Sequence, residues 1–347
     1  MPLRVTLAVS CALLAGFCGL RAQAPAPAPP PESPFATAQA IRRDVNLVDV
    51  LFTVYNRQNK IVADLEQNDF RVTDDGQPQQ ILFFSRQTDL PLRVGMLLDT
   101  SNSIRSRLKF EQDAAVDFLY SVIRRDKDQA FLMTIEDDPQ MVQQATNDLN
   151  RLRDTIHRQR AGGATALYDA IYKASEEMTK LPLPTGSRLD IRRVLVVISD
   201  GEDTLSRRAR SEALDMAQRA GIVIYTISTS TEWIISDNNS RAALTAQRKY
   251  MKTGGDKVLE TFANDSGGRA FFPYLLDDLA QSFAAIGDEL RSQYSLAYMP
   301  SGRAPDGKFH NIRIQAAPRD LTVRARRGYY ATPPEAPAPV TFTAPPR

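Results

Sequence analysis

Residues 94–103 read VGMLLDTSNS, and residues 194–203 read VLVVISDGED. Each stretch opens on a short apolar run and ends in small polar and acidic residues. Apolar runs of this length, bounded by polar turns, suit strands buried on both faces of a mainly parallel sheet. Two further runs of the kind stand at 130–133 and 222–227. Between them apolar residues recur at helical spacing, as in Phe110, Ala114, Phe118 and Val122, and in Leu167, Ile171, Ala174 and Met178. Strand–helix alternation of this rhythm predicts an α/β domain with a doubly wound, mainly parallel sheet over residues 91–293.

The texture changes on both sides of that domain. Val48, Val50, Phe52 and Val54 alternate along 46–55, and after a turn come Phe70, Val72, the turn Asp74-Asp75-Gly76 and the run 81–84. Strands return at 294–299, 309–316 and 321–330. A few isolated strands are marginal in water. The N-terminal β segment (45–90) and the C-terminal one (294–331) are therefore expected to form one β-sandwich-like module, with the α/β domain inserted between them. Residues 231–256, which hold Trp233, fit neither texture and read as a long polar excursion. The basic run Arg324-Ala325-Arg326-Arg327 reads as a solvated strand edge.

The 347-residue chain is 43% hydrophobic and 24% charged, the balance of a globular protein. Residues 1–24 have the pattern of a secretory signal: Arg4, an apolar core from Val5 to Leu20, and Ala22-Gln23-Ala24 as cleavage site. Export to the periplasm or the extracellular space is expected, with no transmembrane segment after cleavage. Cleavage removes Arg4, Arg21 and both cysteines, Cys11 and Cys18, taking the formal charge from +2 to zero. Disulfides and thiolate sites are then excluded, and nothing points to nucleic acid as a partner. A Pro-rich linker (25–44) follows, and a Pro- and Ala-rich tail (332–347) mirrors it.

In an open parallel sheet ligands bind beyond the carboxyl ends of the strands. Asp99-Thr100-Ser101-Asn102-Ser103 follows the first buried run, Ser199-Asp200-Gly201 follows a later one, and Gly162-Gly163-Ala164-Thr165 precedes a helix between them. Alone, each is explained by helix capping or by a turn. Together, Asp99, Ser101, Ser103, Thr165 and Asp200 fill all five places of the metal ion-dependent adhesion site: Asp-x-Ser-x-Ser, then Thr, then Asp. Residues 92–293 resemble a von Willebrand factor A domain. The whole chain is similar to a bacterial family of secreted proteins related to that domain, with Asp69-Phe70-Arg71-Val72 and Val323 to Tyr330 as weaker support.

The resemblance implies that the serines and the threonine ligate the cation directly and the aspartates directly or through water. An all-oxygen donor set suits a hard cation such as Mg²⁺, with Mn²⁺ or Ca²⁺ as alternatives. The expected partner is a protein presenting Asp or Glu to the metal. The resemblance further implies that occupancy can be coupled to a shift of the last helix, here about residues 276–291.

Catalysis finds little support. Ser101 stands where a two-aspartate phosphatase needs a second acid, and neither Gly-x-Ser-x-Gly nor a Walker loop is present. A Ser–His–acid triad would need His157, in a predicted helix, or His310, in the C-terminal β segment. No catalytic residue is assigned. The remaining alternatives are a structural envelope protein with a non-functional metal site and, less well supported, a hydrolase. Glu202 and Asp203 read as loop acids beside the site, not as ligands.

Overall fold

In the computed structural model, which describes residues 47–87, 90–181, 191–230, 252–273, 276–301, 306–317 and 320–331, alternating strands and helices occupy the middle of the chain. The expected leader, linker and tail, and positions 231–251 of the polar excursion, lie outside the described residues. The order begins β1 (Val48–Tyr55), β2 (Phe70–Asp74), β3 (Gln77–Gln79), β4 (Ile81–Gln87), β5 (Leu92–Asp99), α1 (Leu108–Val122), β6 (Gln129–Ile135) and β7 (Gln140–Thr146). It continues with α2 (Leu149–Arg158), α3 (Leu167–Lys180), β8 (Arg192–Ser199), α4 (Arg210–Arg219), β9 (Ile222–Ser228), α5 (Gly254–Ser266), β10 (Ala270–Phe271) and α6 (Leu276–Arg291). The last strands are β11 (Gln293–Tyr298), β12 (Phe309–Ala316), β13 (Thr322–Ala325) and β14 (Gly328–Tyr330).

The four apolar runs become β5, β6, β8 and β9 of a six-stranded sheet in the order β10-β9-β8-β5-β6-β7. All of its pairings are parallel except β6 with β7. Strand period 2 sends alternate residues of β5 to opposite faces. Val94, Met96 and Leu98 pack with Phe118 and Leu119 of α1, Leu152 of α2 and Phe283 and Ile286 of α6. Leu97 joins Leu195 and Val197 of β8 against Ile171 of α3, Ala217 of α4 and Phe262 of α5. A helical layer covers each face, and each fully buried aliphatic side chain contributes about 1.5–3 kcal/mol.

Gly95 interrupts the apolar run for a packing reason. A Cβ there would lie 2.4 Å from Leu195 Cδ2 and 2.4 Å from Phe131 Cζ. Gly95→Ala is therefore expected to destabilise the domain by about 1–3 kcal/mol through overpacking. An unchanged denaturation midpoint would contradict this packing.

The outer strands form two four-stranded sheets, each drawing strands from both ends of the chain: β13-β1-β11-β4 and β14-β12-β2-β3. In the first, Val48 pairs with Tyr298 and Phe52 with Tyr294. In the second, Val72 pairs with Ile314. Apolar side chains of both sheets share one core. At its centre the Phe52 and Phe70 rings meet edge to face at 5.0 Å, and Tyr294 stacks on Phe52 at 5.3 Å.

Three expectations need correction. The predicted strand at 321–330 is two strands, β13 and β14, in different sheets. Secondly, the basic run at that corner is a solvated edge only in part: β13 is an edge strand and Arg327 is exposed, but Arg324 and Arg326 are half-buried. Arg324 pairs with buried Glu289 at 3.1 Å, the Arg326 guanidinium donates to the Asp49 carbonyl at 2.7 Å, and Arg327 pairs with Asp265 at 2.8 Å. Cations gather there because the chain changes sheets against the ends of α5 and α6. Thirdly, α5 begins at Gly254, inside the predicted excursion. Thr253 and Asp256 cap it reciprocally, and such polar residues read as loop in sequence.

Candidate metal centre

β5 and β8 are parallel neighbours, Leu98 opposite Ile198, so the segments leaving their carboxyl ends meet. Asp99, 0% exposed, accepts a bond from the Ser101 N–H at 2.8 Å and from the Ser199 hydroxyl at 2.6 Å. The Ser101 and Ser103 hydroxyls stand 2.8 Å apart, and Ser103 donates to Asp200 Oδ2 at 3.0 Å. Four of the five sequence-predicted positions thus form one hydrogen-bonded chain. It runs from a buried carboxylate to an exposed serine and a half-buried Asp200. Gly201 lets the last loop turn: its φ is 79°, and a Cβ there would lie 2.2 Å from the Gly255 carbonyl oxygen.

The fifth position, Thr165, is buried on the adjoining loop. That loop is tied to the first by Gly162 N–H to the Thr100 carbonyl at 2.6 Å and by Asn102 N–H to the Gly163 carbonyl at 3.3 Å. It is tied to the third by Thr204 and Leu205, whose N–H groups donate to the Thr165 carbonyl at 2.9 and 3.1 Å.

Burial is the main cause that pushes the Asp99 carboxyl above its ordinary range, and the charge of Asp200 adds to it, against the bonds from Ser199 and Ser101. A carboxylate so placed is costly to ionise alone and gains most from a counter-cation. The donors are oxygens only, two anionic and three neutral. This set fits a divalent cation, and hard ions such as Mg²⁺ take oxygen ligands of this kind.

Glu202 and Asp203 serve the scaffold. Glu202 accepts from the Gly255 N–H at 3.1 Å, and Asp203 accepts from the Ser206 hydroxyl at 2.5 Å and the Tyr168 N–H at 3.3 Å. Sequence reading missed Ser199, whose hydroxyl also accepts from Gly201 N–H at 3.1 Å, and Thr204. It missed Glu111 as well, a buried acid on the apolar stripe of α1. A charge on such a stripe was the available signal.

A second cluster lies in the β module: Asp74, Asp75 and His310 bring possible ligand atoms within 4.8 Å of one another. Here the imidazole is already engaged at both nitrogens, Nδ1 with Asp75 Oδ2 and Nε2 with Asp306 Oδ1, each at 2.9 Å. Asp74 Oδ2 accepts from the Tyr298 and Tyr329 hydroxyls at 3.0 and 2.9 Å. The arrangement is an imidazole held between carboxylates, a clamp joining β12 to the β2–β3 turn.

The Asp306 and Asp75 bonds raise the His310 pKa above its ordinary 6.5, Asp306 first. Stability from the clamp is then fully present below pH 6.5 and lost as pH rises through the folded-state value. His310→Gln should lower the melting temperature most near pH 6, with the gap from wild type closing at higher pH. A gap that widens with pH would contradict the clamp.

Neither histidine of the chain stands among the site residues: His157 lies exposed on α2, 3.8 Å from Asp113, and His310 sits on β12.

Residues 94–202 match the family model of the von Willebrand factor type A domain. No curated protein matches the chain in sequence. Similar solved structures include the conserved hypothetical protein BatB from Bacteroides thetaiotaomicron, 16% identical, covering 57% of this chain and 99% of that one, with a TM-score of 0.41. The vWF domain of the type V pili tip protein Mfa5 from Porphyromonas gingivalis is 15% identical, covering 57% and 94%, with a TM-score of 0.43. Proximal thread matrix protein 1 from the mussel byssus, in a form with a zinc-occupied MIDAS motif, is 13% identical, covering 63% and 50%, with a TM-score of 0.45.

Proposed function

We propose, from the von Willebrand factor type A domain carried at residues 94–202, that this protein grips a partner protein through a divalent cation. The cation sits on Asp99, Ser101, Ser103, Thr165 and Asp200, with Mg²⁺ the expected ion and Mn²⁺ or Ca²⁺ the alternatives. The bonded chain from Asp99 through Ser101 and Ser103 to Asp200 carries this reading. When bound, the cation supplies an electrophilic position that an Asp or Glu of the partner completes. Asp99 and Asp200 contribute charge, the hydroxyls contribute neutral oxygens, and exposed Ser103 marks the side open to the partner. In this reading the site binds its partner without making or breaking a covalent bond.

The leader pattern in residues 1–24 supports work outside the cytoplasm, in the periplasm or beyond. Among the described residues no helix is long and apolar enough to cross a membrane.

A displayed random-peptide library, panned on the full chain in Mg²⁺, tests the reading. Binders released by EDTA should be enriched in Asp or Glu, and replacing that acid by its amide should abolish capture. Binders indifferent to both chelator and acid would return the chain to a structural role with a non-functional metal site.

A further inference from the structure

α1 buries Leu108, Ala115, Phe118, Leu119 and Val122 on one stripe, and Glu111 lies on the same stripe. Its side chain is 0% exposed, and among the described residues neither carboxylate oxygen has a hydrogen-bond partner. An unpaired acid in such a place is costly, and an apolar residue of similar size would fill the space without that cost. Its charged surroundings are specific: Arg107, one turn earlier, and the two site aspartates, Asp99 and Asp200. Burial pushes the Glu111 carboxyl up to about 8, with Arg107 opposing and both aspartates reinforcing the shift. Ionised, the three carboxylates and one guanidinium sum to a surplus of two negative charges, which one divalent cation neutralises.

We propose that Glu111 is a built-in third carboxylate of the metal centre, a positioning residue that strengthens cation binding by its charge without ligating the ion. The inference rests on the metal-site reading given above. It explains why an acid occupies a packing position of α1, and why its oxygens lack protein donors. Because the Coulomb energy scales with the charge of the ion, Glu111 favours more highly charged cations of a given size.

The test uses the full chain and two ions of similar radius, Ca²⁺ and Tb³⁺, titrated by calorimetry. Glu111→Gln should weaken Ca²⁺ binding by about tenfold or more, the range found for residues that act on a metal from behind its ligands. Tb³⁺ binding should weaken by a larger factor, so the preference for the trivalent ion falls. Glu111→Asp keeps the charge and should keep that preference. Should Glu111→Gln not fold, as judged by circular dichroism, Glu111→Met is read in the same way. Unchanged affinities overturn the proposal, and so does an equal loss for both ions, which would mark a packing role only. If the wild type binds neither ion, the metal-site reading fails and this inference fails with it. If the wild type binds both and Glu111→Gln matches it, only this inference fails.

Discussion

Asp99→Asn should abolish Mg²⁺ and Mn²⁺ binding while leaving the metal-free protein at least as stable as wild type. Asparagine keeps an oxygen for the Ser101 N–H, and its amide N–H can donate to the Ser199 hydroxyl oxygen. Both contacts that shape the loop therefore survive, the second with donor and acceptor exchanged. What disappears is a negative charge at a fully buried position, where burial already holds the carboxyl above its ordinary range. Removing that charge relieves the metal-free state and deprives the cation of its innermost anion. Asp99→Ala loses the acceptors as well and should cost a further ~1–3 kcal/mol in stability. Ser101→Ala and Thr165→Ala each remove one neutral oxygen and should weaken binding less. Calorimetry giving wild-type affinity for Asp99→Asn would remove the site assignment.

The second large effect is expected at Glu289, near the end of α6. Its side chain is 1% exposed and holds Arg324 of β13 at 3.1 Å and Arg269 at 3.7 Å. Tyr55 of β1 and buried Tyr225 of β9 stand against the same carboxylate, and both phenols are kept protonated by burial first and its charge second. Glu289→Ala leaves the cations without their anion and should cost about 3–5 kcal/mol, the range for breaking a buried pair. A thermal or urea midpoint near wild type would contradict the network.

The same residue bears on coupling between the metal site and the β module. The site loop leads into α1, α1 packs Phe118 on Phe283 of α6 at 5.1 Å, and only Ser292 separates α6 from β11. A shift of α6 on ligand binding would therefore reach the β strands directly. Hydrogen exchange across residues 276–298 should change when metal and an acidic peptide bind, and Asp99→Asn should erase the change. Identical exchange at saturation would leave a static gripping surface.

The parts of this molecule legible in sequence are those where a local pattern and a physical demand coincide. β5, β6, β8 and β9 stood out because strands buried on both faces need unbroken apolar runs. α6 stood out because Leu279, Phe283, Ile286 and Leu290 fall on one helical face. β7, by contrast, is a sheet edge reading QMVQQAT, with residues only partly buried or exposed, and it carries no such pattern. The split between β13 and β14 was hidden because Arg324, Arg326 and Arg327 have partners distant in sequence: Glu289, Asp49 and Asp265. At the site, the five positions stand out because their order and spacing resemble those of the metal ion-dependent adhesion site. Glu111 left a signal, a charge on an apolar stripe, but the roles of Ser199 and of the His310 clamp depend on neighbours that only the fold supplies.

The most direct measurement is a crystal structure of the full chain grown with Mn²⁺, in which anomalous scattering locates the ion independently of any interpretation of the protein. The account predicts a single strong peak at the carboxyl ends of β5 and β8, in contact with the hydroxyls of Ser101, Ser103 and Thr165. A peak at Asp74, Asp75 and His310 instead, or none at either place in saturating Mn²⁺, would contradict it.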